Sequence, residues 1–257
     1  MELSKDGACG KRVAEDLADA VEETGAAAQG AAAQGAPKRA CLGAGVGAEV
    51  PAGTGMLEHL LVVPAGKCIA QKRREELVKA GYCFVNVTSK AGDASILGGK
   101  ADSEYAKLSP FFPVGGVPLP PGVVCGRKDS ESVEGLWQGL KIIDGKTDFG
   151  KFKIRKMKGL KRSARNKTVG GHFVGEDKKP LDYLAARRDI YVPAYLFHLE
   201  KVRDVVETLR AEATQHKVAL VDYTDAEWDD LRKPLSHACV LRHVLLGRDP
   251  LARCAVP

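Results

Sequence analysis

The chain has 257 residues, of which 44% are hydrophobic, and its 39 basic and 33 acidic side chains give a formal net charge of +6. That hydrophobic fraction is ordinary for a globular protein and excludes a chain that is disordered throughout. Residues 151–167, the basic segment, contain nine Lys or Arg and no acid, so the rest of the chain is slightly acidic. The charge therefore predicts one local contact with phosphate groups, of a nucleic acid or a nucleotide ligand.

The first 55 residues differ from the rest in composition. They contain 25 Ala plus Gly, including a tandem GAAAQ repeat, and none of the 15 aromatic residues of the chain. A segment without large apolar side chains cannot offset the conformational entropy lost when its backbone is ordered. We therefore predict a disordered low-complexity extension over 1–55, in which 10–23 are compatible with a short amphipathic helix. A single folded domain is expected over 56–257.

The cysteines and the apolar runs indicate the cellular setting. No two of the seven cysteines are two to four residues apart, so zinc-binding spacing is absent and we expect no metal and no cofactor. We interpret the cysteines as scattered buried thiols. No apolar run approaches the roughly 18 residues of a membrane span, and the N-terminus is acidic, unlike a targeting peptide. The sequence thus predicts an intracellular protein, cytoplasmic or nuclear, without a membrane partner.

The predicted folded part begins with a helix and a strand. QKRREELVKAG (71–81) is typical of a helix that ends at its glycine, and YCFVNVTS (82–89) is typical of a strand. The next segment, LSPFFPVGGVPLPPG (108–122), contains five prolines, which exclude a helix or a central strand. We expect a shaped loop that Phe111 and Phe112 pin to the body of the domain.

The segment SVEGLWQGLKII (132–143) has helical periodicity, with an apolar face and one polar stripe. The stripe consists of three long side chains: Glu134, Gln138 and Lys141. Gly135 and Gly139 lie beside it, although each glycine inside a helix costs about 0.5–1 kcal/mol relative to alanine. Two interpretations stay open. Either a ligand approaches this backbone closely, or the stripe is an ordinary solvated face and the glycines allow the helix to pack.

Three further elements are predicted after the basic segment, as a helix, a buried strand and a helix: 196–214, 217–223 and 234–247. Asp225 and Trp228 follow the strand directly, where loops of mixed folds often place functional side chains. His237 and His243 are six residues apart, which does not match the spacing of a helical metal pair. We interpret both histidines as packing or capping residues.

Three landmarks therefore stand in order along 105–245: an LSPFFP loop, an SVEGLWQGLK helix and a DYTDAEW segment. Together they resemble the NADAR family, which is named for its link to NAD and ADP-ribose metabolism. Its members carry a Leu-Ser-Asn-Phe-like loop, a Ser-x-Glu-His-x-x-Gln-x-x-Lys-like helix and an Asp-x-x-Trp pair. The matching positions are Leu108, Ser109, Phe111, Ser132, Glu134, Gln138, Lys141, Asp225 and Trp228. Pro110 and Gly135 replace the Asn and the His of the family pattern.

The resemblance implies an α+β domain that acts as an N-glycosidase-like hydrolase on the C1′–N bond of ADP-ribosyl or phosphoribosyl compounds, free or attached to a macromolecule. Bond cleavage develops positive charge on the ribose, which Glu134 would stabilise, and the Lys141 amine would attack an opened C1′ aldehyde. Asp225 would align the leaving base or a water, and Trp228 would offer a flat face. The remaining substrate contacts would be Ser109, Phe111, Gln138, Lys158, Lys161 and Arg162, the last three to phosphates.

Two alternatives to this hydrolase remain open. In the first, the domain is a nucleic-acid-binding module whose basic segment contacts RNA or DNA phosphates, with Phe149, Phe152 or Phe173 stacking on bases. In the second, it is a catalytically inactive nucleotide-binding relative, for which Gly135 in place of the family His is the main argument. A nucleic-acid module has no need of the polar stripe, whereas the glycosidase depends on it.

Overall fold

The structure is a computed structural model that describes residues 54–64, 71–90 and 103–252. The predicted extension lies outside these ranges except for its last two residues, and the predicted helix over 10–23 lies outside them entirely. The first described element is a 3₁₀-helix, Thr54–His59, which crosses the predicted domain boundary. Helices and strands are mixed along the described chain, which confirms the predicted α+β class.

A parallel sheet of three strands lies at the centre of the fold. Its strands are β1 (Leu61–Pro64), β2 (Tyr82–Asn86) and β7 (Lys217–Asp222), and β7 lies between the other two. Leu220 of β7 is opposite Val62 on one edge and Val85 on the other. Because β7 has a neighbour on each edge, it is buried from Val218 to Asp222, as its apolar run predicts. The strands predicted over 217–223 and 82–89 are confirmed and end earlier.

Two antiparallel strand pairs are also described. One joins β3 (Val117–Pro118) to β4 (Asp129–Ser130), and the other joins β5 (Lys141–Ile143) to β6 (Val169–His172). The helix predicted over 132–143 is therefore wrong at its end. Lys141 has extended backbone angles, φ −62° and ψ 125°, because it leaves the helix to pair with His172.

The described α-helices are α1 (Gln71–Lys79), α2 (Val133–Leu140), α3 (Tyr183–Ala186), α4 (Val192–Lys201), α5 (Arg203–Gln215) and α6 (His237–Leu245). A π-helical turn, Arg187–Tyr191, joins α3 to α4. The single helix predicted over 196–214 is two helices, because Val202 has non-helical angles, φ −117° and ψ 34°. The last helix begins after its N-cap Ser236 and not at Pro234. Over residues 54–64, 71–90 and 103–252, no helix is long and apolar enough to cross a membrane.

One large hydrophobic cluster joins α2, α4, α5 and α6 to the sheet. Its fully buried members include Leu136, Tyr195, Leu209, Leu220 and Leu241. The carboxyl ends of the parallel strands meet the start of α6, since Asp222 ends β7 and accepts hydrogen bonds from Ser236 and Ala238. Clefts at the carboxyl ends of parallel strands are where open α/β sheets bind their ligands. The fold thus places the predicted α2 residues and the end of β7 around one region.

Candidate functional site

Helix α2 carries a buried pair of polar side chains. Ser132 caps the helix by accepting a hydrogen bond from the Gly135 amide, and the Glu134 amide donates to the Pro110 carbonyl at 2.9 Å. Gln138 Nε2 donates to Glu134 Oε1 at 2.8 Å, as the i, i+4 spacing allows. Glu134 is only 7% exposed and Gln138 only 8%. The predicted stripe is therefore an interior polar pair and not a solvated face.

Glu134 is the titratable centre of this region. Burial raises the pKa of Glu134 above its ordinary value, because a low-dielectric surrounding disfavours the carboxylate. The hydrogen bond from Gln138 opposes that shift, as do the positive charges of Lys161, Lys141 and His237. A carboxyl that is shielded from water but faces several cations can exchange a proton or stabilise a developing positive charge.

The two glycines of α2 leave room for the chain itself. A Cβ on Gly139 would lie 2.3 Å from Phe152 Cε1, and a Cβ on Gly135 would lie 2.9 Å from the Lys151 carbonyl oxygen. The element that approaches this backbone is thus the 3₁₀-helix Phe149–Lys153. This supports the packing interpretation of the glycines, because a side chain at either position would meet this element.

A buried ion pair lies where β7 meets α6. His237 Nδ1 donates to Asp222 Oδ2 at 2.9 Å, and His237 Nε2 donates to the Val87 carbonyl at 2.8 Å. Because both partners are acceptors, both ring nitrogens carry protons and the ring is an imidazolium. Burial disfavours that charge, but Asp222 and the Val87 carbonyl raise the pKa of His237. Burial likewise opposes ionisation of Asp222, yet His237 and Ser236 hold the pKa of that carboxyl below its ordinary value.

Lys161 of the basic segment lies between two aromatic rings. Its Nζ is 5.9 Å from the ring centroid of Phe111 in the predicted loop and 5.9 Å from that of Tyr223, which follows β7. Its charge also acts on Glu134. Cation–π contacts of this kind hold an ammonium group in place without neutralising it. The structure thus brings together Phe111, Lys161, Glu134 and Gln138, four of the predicted site residues.

Lys141 is the first residue of β5, and its strand partner belongs to a cluster of aromatic side chains. Its strand partner His172 packs on Trp137 in a tilted arrangement with 3.8 Å between ring centroids, and Tyr191 meets the same tryptophan edge-on at 5.4 Å. Burial, together with the charge of Lys141, lowers the pKa of His172 to about 3, so this imidazole is neutral. Both of its ring nitrogens are buried without a hydrogen-bond partner. The strand partner of Lys141 is therefore a neutral imidazole.

The Arg162 side chain mainly connects two parts of the backbone. Its guanidinium donates to the carbonyl oxygens of Gln138, Lys141 and Lys146, at 3.1, 2.5 and 3.0 Å. Its backbone amide donates to Gln138 Oε1 at 3.2 Å. Arg162 thus ties the basic segment to the end of α2 and orients the amide that contacts Glu134.

Four other predicted residues are not directed at Glu134 by any contact. The Asp225 carboxylate is exposed and accepts from Lys233 Nζ at 2.8 Å. Trp228 is 9% exposed and packs in the core, while its carbonyl accepts from the buried Arg187. Ser109 is buried and its hydroxyl accepts from the Phe111 amide, which shapes the loop. Lys158 is exposed.

The aromatic residues of the nucleic-acid alternative pack against one another. Phe152 is fully buried, and Phe149 lies 5.3 Å from it and 5.8 Å from Phe173. Stacking of a base on Phe152 is therefore contradicted by its burial. The cysteine interpretation is also only partly right, since Cys239 is buried but Cys83 is exposed. Burial raises the pKa of Cys239 to about 12, so that thiol is unreactive.

The sequence interpretation missed the Asp222–His237 pair. The position of Asp222 at the end of a buried strand is the local signal for it, whereas the predicted residue, Asp225, lies three residues later and is exposed. His237 was assigned a packing or capping role from its spacing to His243, and nothing local indicates its charge. Within the described ranges, no group of three or more His, Cys, Asp or Glu is arranged to hold a metal ion.

Comparison with known proteins places the chain in a family. A family model matches residues 79–241. The chain belongs to DUF6939, a family of unknown function. The matched range contains every residue discussed above around Glu134, including Asp222 and His237. No curated protein and no solved structure matches the chain. None of these comparisons links the chain to NADAR proteins, so that resemblance stays a prediction.

Proposed function

We propose that this DUF6939 protein is an N-glycosidase-like hydrolase that acts on the C1′–N bond of ADP-ribosyl or phosphoribosyl compounds, including ADP-ribosylated macromolecules. The observation that supports it most is the buried Glu134 carboxyl, hydrogen-bonded by Gln138 and acted on by Lys161, Lys141 and His237. A structural ion pair needs only one cation. A carboxyl among several cations suits a ligand that brings phosphate charges and develops positive charge on its sugar.

Glu134 would act on the ribose. When the C1′–N bond breaks, the electron pair leaves with the nitrogen base, and the ring carbon and oxygen share the positive charge. The Glu134 carboxylate stabilises that charge, and its raised pKa allows it to take the proton of the incoming water. Phe111 and Tyr223, on either side of Lys161, offer faces for the base, a role that the core-packed Trp228 is less suited to fill.

Lys141 would act on the opened sugar. Its unprotonated amine would condense with the C1′ aldehyde of ring-opened ribose, releasing one water, and hydrolysis of the imine would return the aldehyde and the amine. The strand partner of Lys141, His172, is a neutral imidazole because its pKa is lowered to about 3.

The test is incubation of the purified protein with a panel of N-ribosides that includes ADP-ribosylated bases and aminopyrimidine ribosyl phosphates, with mass spectrometry of the products. We expect Glu134→Gln to reduce turnover by at least about 100-fold, the usual size of a lost acid–base group. Glu212→Gln is the matched control, because Glu212 is exposed on α5. Equal turnover in wild type and Glu134→Gln, or no turnover on the whole panel, would contradict the proposal.

The Lys141 step has a separate readout. Lys141→Ala and Lys141→Arg should both lose any adduct trapped by borohydride, because a guanidinium is not nucleophilic at neutral pH. Wild-type turnover in either variant would remove the covalent step while leaving the role of Glu134 standing.

One observation favours nucleic-acid binding as a second candidate function. Six cations of the basic segment are exposed: Lys153, Arg155, Lys156, Lys158, Arg165 and Lys167. If they contact a phosphate backbone, plain oligonucleotides will bind tightly at low salt and lose affinity steeply as ionic strength rises. Such binding, without any affinity for ADP-ribose, would favour this function over the hydrolase.

A further inference from the structure

An open pocket of about 490 Å³ lies beside the β5–β6 pair. It is lined by Ile143, Asp144, Lys146, Arg162, Ser163 and Lys167. This volume falls in the range of small-molecule sites, roughly 300–1,000 Å³. Three of its lining residues are cations and one is an acid, so the pocket carries a positive excess.

The walls of this pocket are fixed by backbone hydrogen bonds. Ile143 and Lys146 exchange amide–carbonyl bonds of 3.0 Å around a two-residue turn, in which Asp144 and Gly145 both have positive φ. A turn with two positive φ angles favours this Asp-Gly pair and holds the hairpin in the twist of its strands. The Thr168 amide donates to Asp144 Oδ1 at 3.0 Å, and the Asp144 amide donates to the Thr168 carbonyl. Lys146 and Lys167 are thus presented from two backbones that are tied together.

Arg162 lines the pocket together with these lysines. Three of its five N–H groups are used by carbonyls, which leaves its positive charge in place with two N–H donors outside those bonds. The Asp144 carboxylate uses one oxygen to accept from Thr168, so it is oriented toward the turn. The net charge of the pocket, with three cations and one acid, matches a dianion.

We infer that this pocket is a binding site for a phosphate-class anion, a phosphomonoester or a diphosphate, held by Lys146, Arg162 and Lys167. The inference goes beyond the proposed function, because an anion bound here requires no cleavage of any glycosidic bond. It also moves the phosphate contact away from Lys158, which does not line the pocket. Arg162 contacts Gln138 through its amide, so a bound anion touches a residue one hydrogen bond away from the Glu134–Gln138 pair.

A recess favours a small ligand over a polymer. A nucleic acid would contact cations that project into solvent, and Lys153, Lys156, Lys158 and Arg165 are such cations outside the pocket. The shared chemistry is phosphate, and its two sources make different demands on these residues. A small phosphate needs the pocket cations, whereas a phosphodiester chain also needs the exposed cations outside the pocket.

The experiment is calorimetric titration of the full chain with inorganic phosphate, pyrophosphate, ADP and a short oligothymidine. Lys146→Ala with Lys167→Ala should weaken pyrophosphate and ADP binding by at least about tenfold, the size of a lost charge-assisted contact. The control, Lys153→Ala with Lys156→Ala, removes the same charge outside the pocket. It should change the affinity for pyrophosphate and ADP by less than about twofold. All four lysines are exposed, so we expect both variants to fold.

The outcomes separate the pocket from the hydrolase. An equal loss of pyrophosphate affinity in both double variants would show general charge attraction and overturn the inference, as would a wild-type protein that binds only the oligothymidine. Pyrophosphate binding that is unchanged in Glu134→Gln, in a protein that turns over no riboside, would support the pocket and contradict the proposed hydrolase.

Discussion

The Asp222–His237 pair shows how single residues acquire properties that their position in the chain does not reveal. Burial by itself would favour the uncharged form of each group. The 2.9 Å contact between them stabilises both charges. Because His237 also donates to the Val87 carbonyl, it links β2, β7 and α6. The pair is therefore both a structural link at the carboxyl end of the sheet and a fixed positive charge that acts on Glu134.

The pair predicts a specific pH dependence of stability. The folded pKa of His237 is above its ordinary 6.5, so its contribution is fully present below that pH and is lost as pH rises through the folded value. Asp222 behaves in the opposite way, because its folded pKa is below 3.8 and its contribution is lost as pH falls through that lower value. Urea unfolding at pH 6 and pH 9 should therefore show wild type losing stability at the alkaline end.

Substitution of the histidine tests this directly. His237→Gln should destabilise the fold by about 3–5 kcal/mol at pH 6, the usual cost of leaving a buried charge without its partner. Its stability should also fall less between pH 6 and pH 9 than that of wild type. His216→Gln, at an exposed position, is the control and should retain the wild-type pH dependence. A His237→Gln protein with the full alkaline loss would show that another group titrates.

At the scale of elements, the packing of α2 against the 3₁₀-helix Phe149–Lys153 positions the candidate site. The close approach requires Gly139, and it brings the basic segment against the end of α2, where Arg162 holds it. The polar stripe and the basic segment are separate in the sequence. This packing places them next to each other. Lys161 is the cation of the basic segment whose charge acts on Glu134.

Gly139→Ala measures that packing. Alanine is the better helix former by about 1 kcal/mol, yet its Cβ would lie 2.3 Å from Phe152, so we expect a net loss of about 1–3 kcal/mol. Phe152→Leu made together with Gly139→Ala should lose less stability than the two single losses added, because the smaller side chain relieves the contact. Chemical denaturation of the four proteins gives the values. Additive losses would show that these two positions do not touch.

At the scale of the whole molecule, the described chain is organised around β7 and the large cluster that covers it. The first 53 residues have no aromatic side chain to add to such a core. Deletion of residues 1–53 should therefore leave the unfolding midpoint and the pyrophosphate affinity within error of the full chain. Thermal melting and calorimetry check both quantities, and loss of cooperative melting would contradict the predicted domain boundary.

The α+β class, the buried strand β7 and the placement of Glu134 and Gln138 on one side of a helix follow from the sequence, because periodicity and strand propensity are local properties. The end of α2 at Leu140 and the role of Gly139 were decided by tertiary contacts, which override local preference when a strand partner or a large side chain competes. Asp222 and His237 are 15 residues apart, and their pairing depends on how β7 meets α6. The charge of a buried group is set by neighbours distant along the chain, and no sequence pattern encodes that distance.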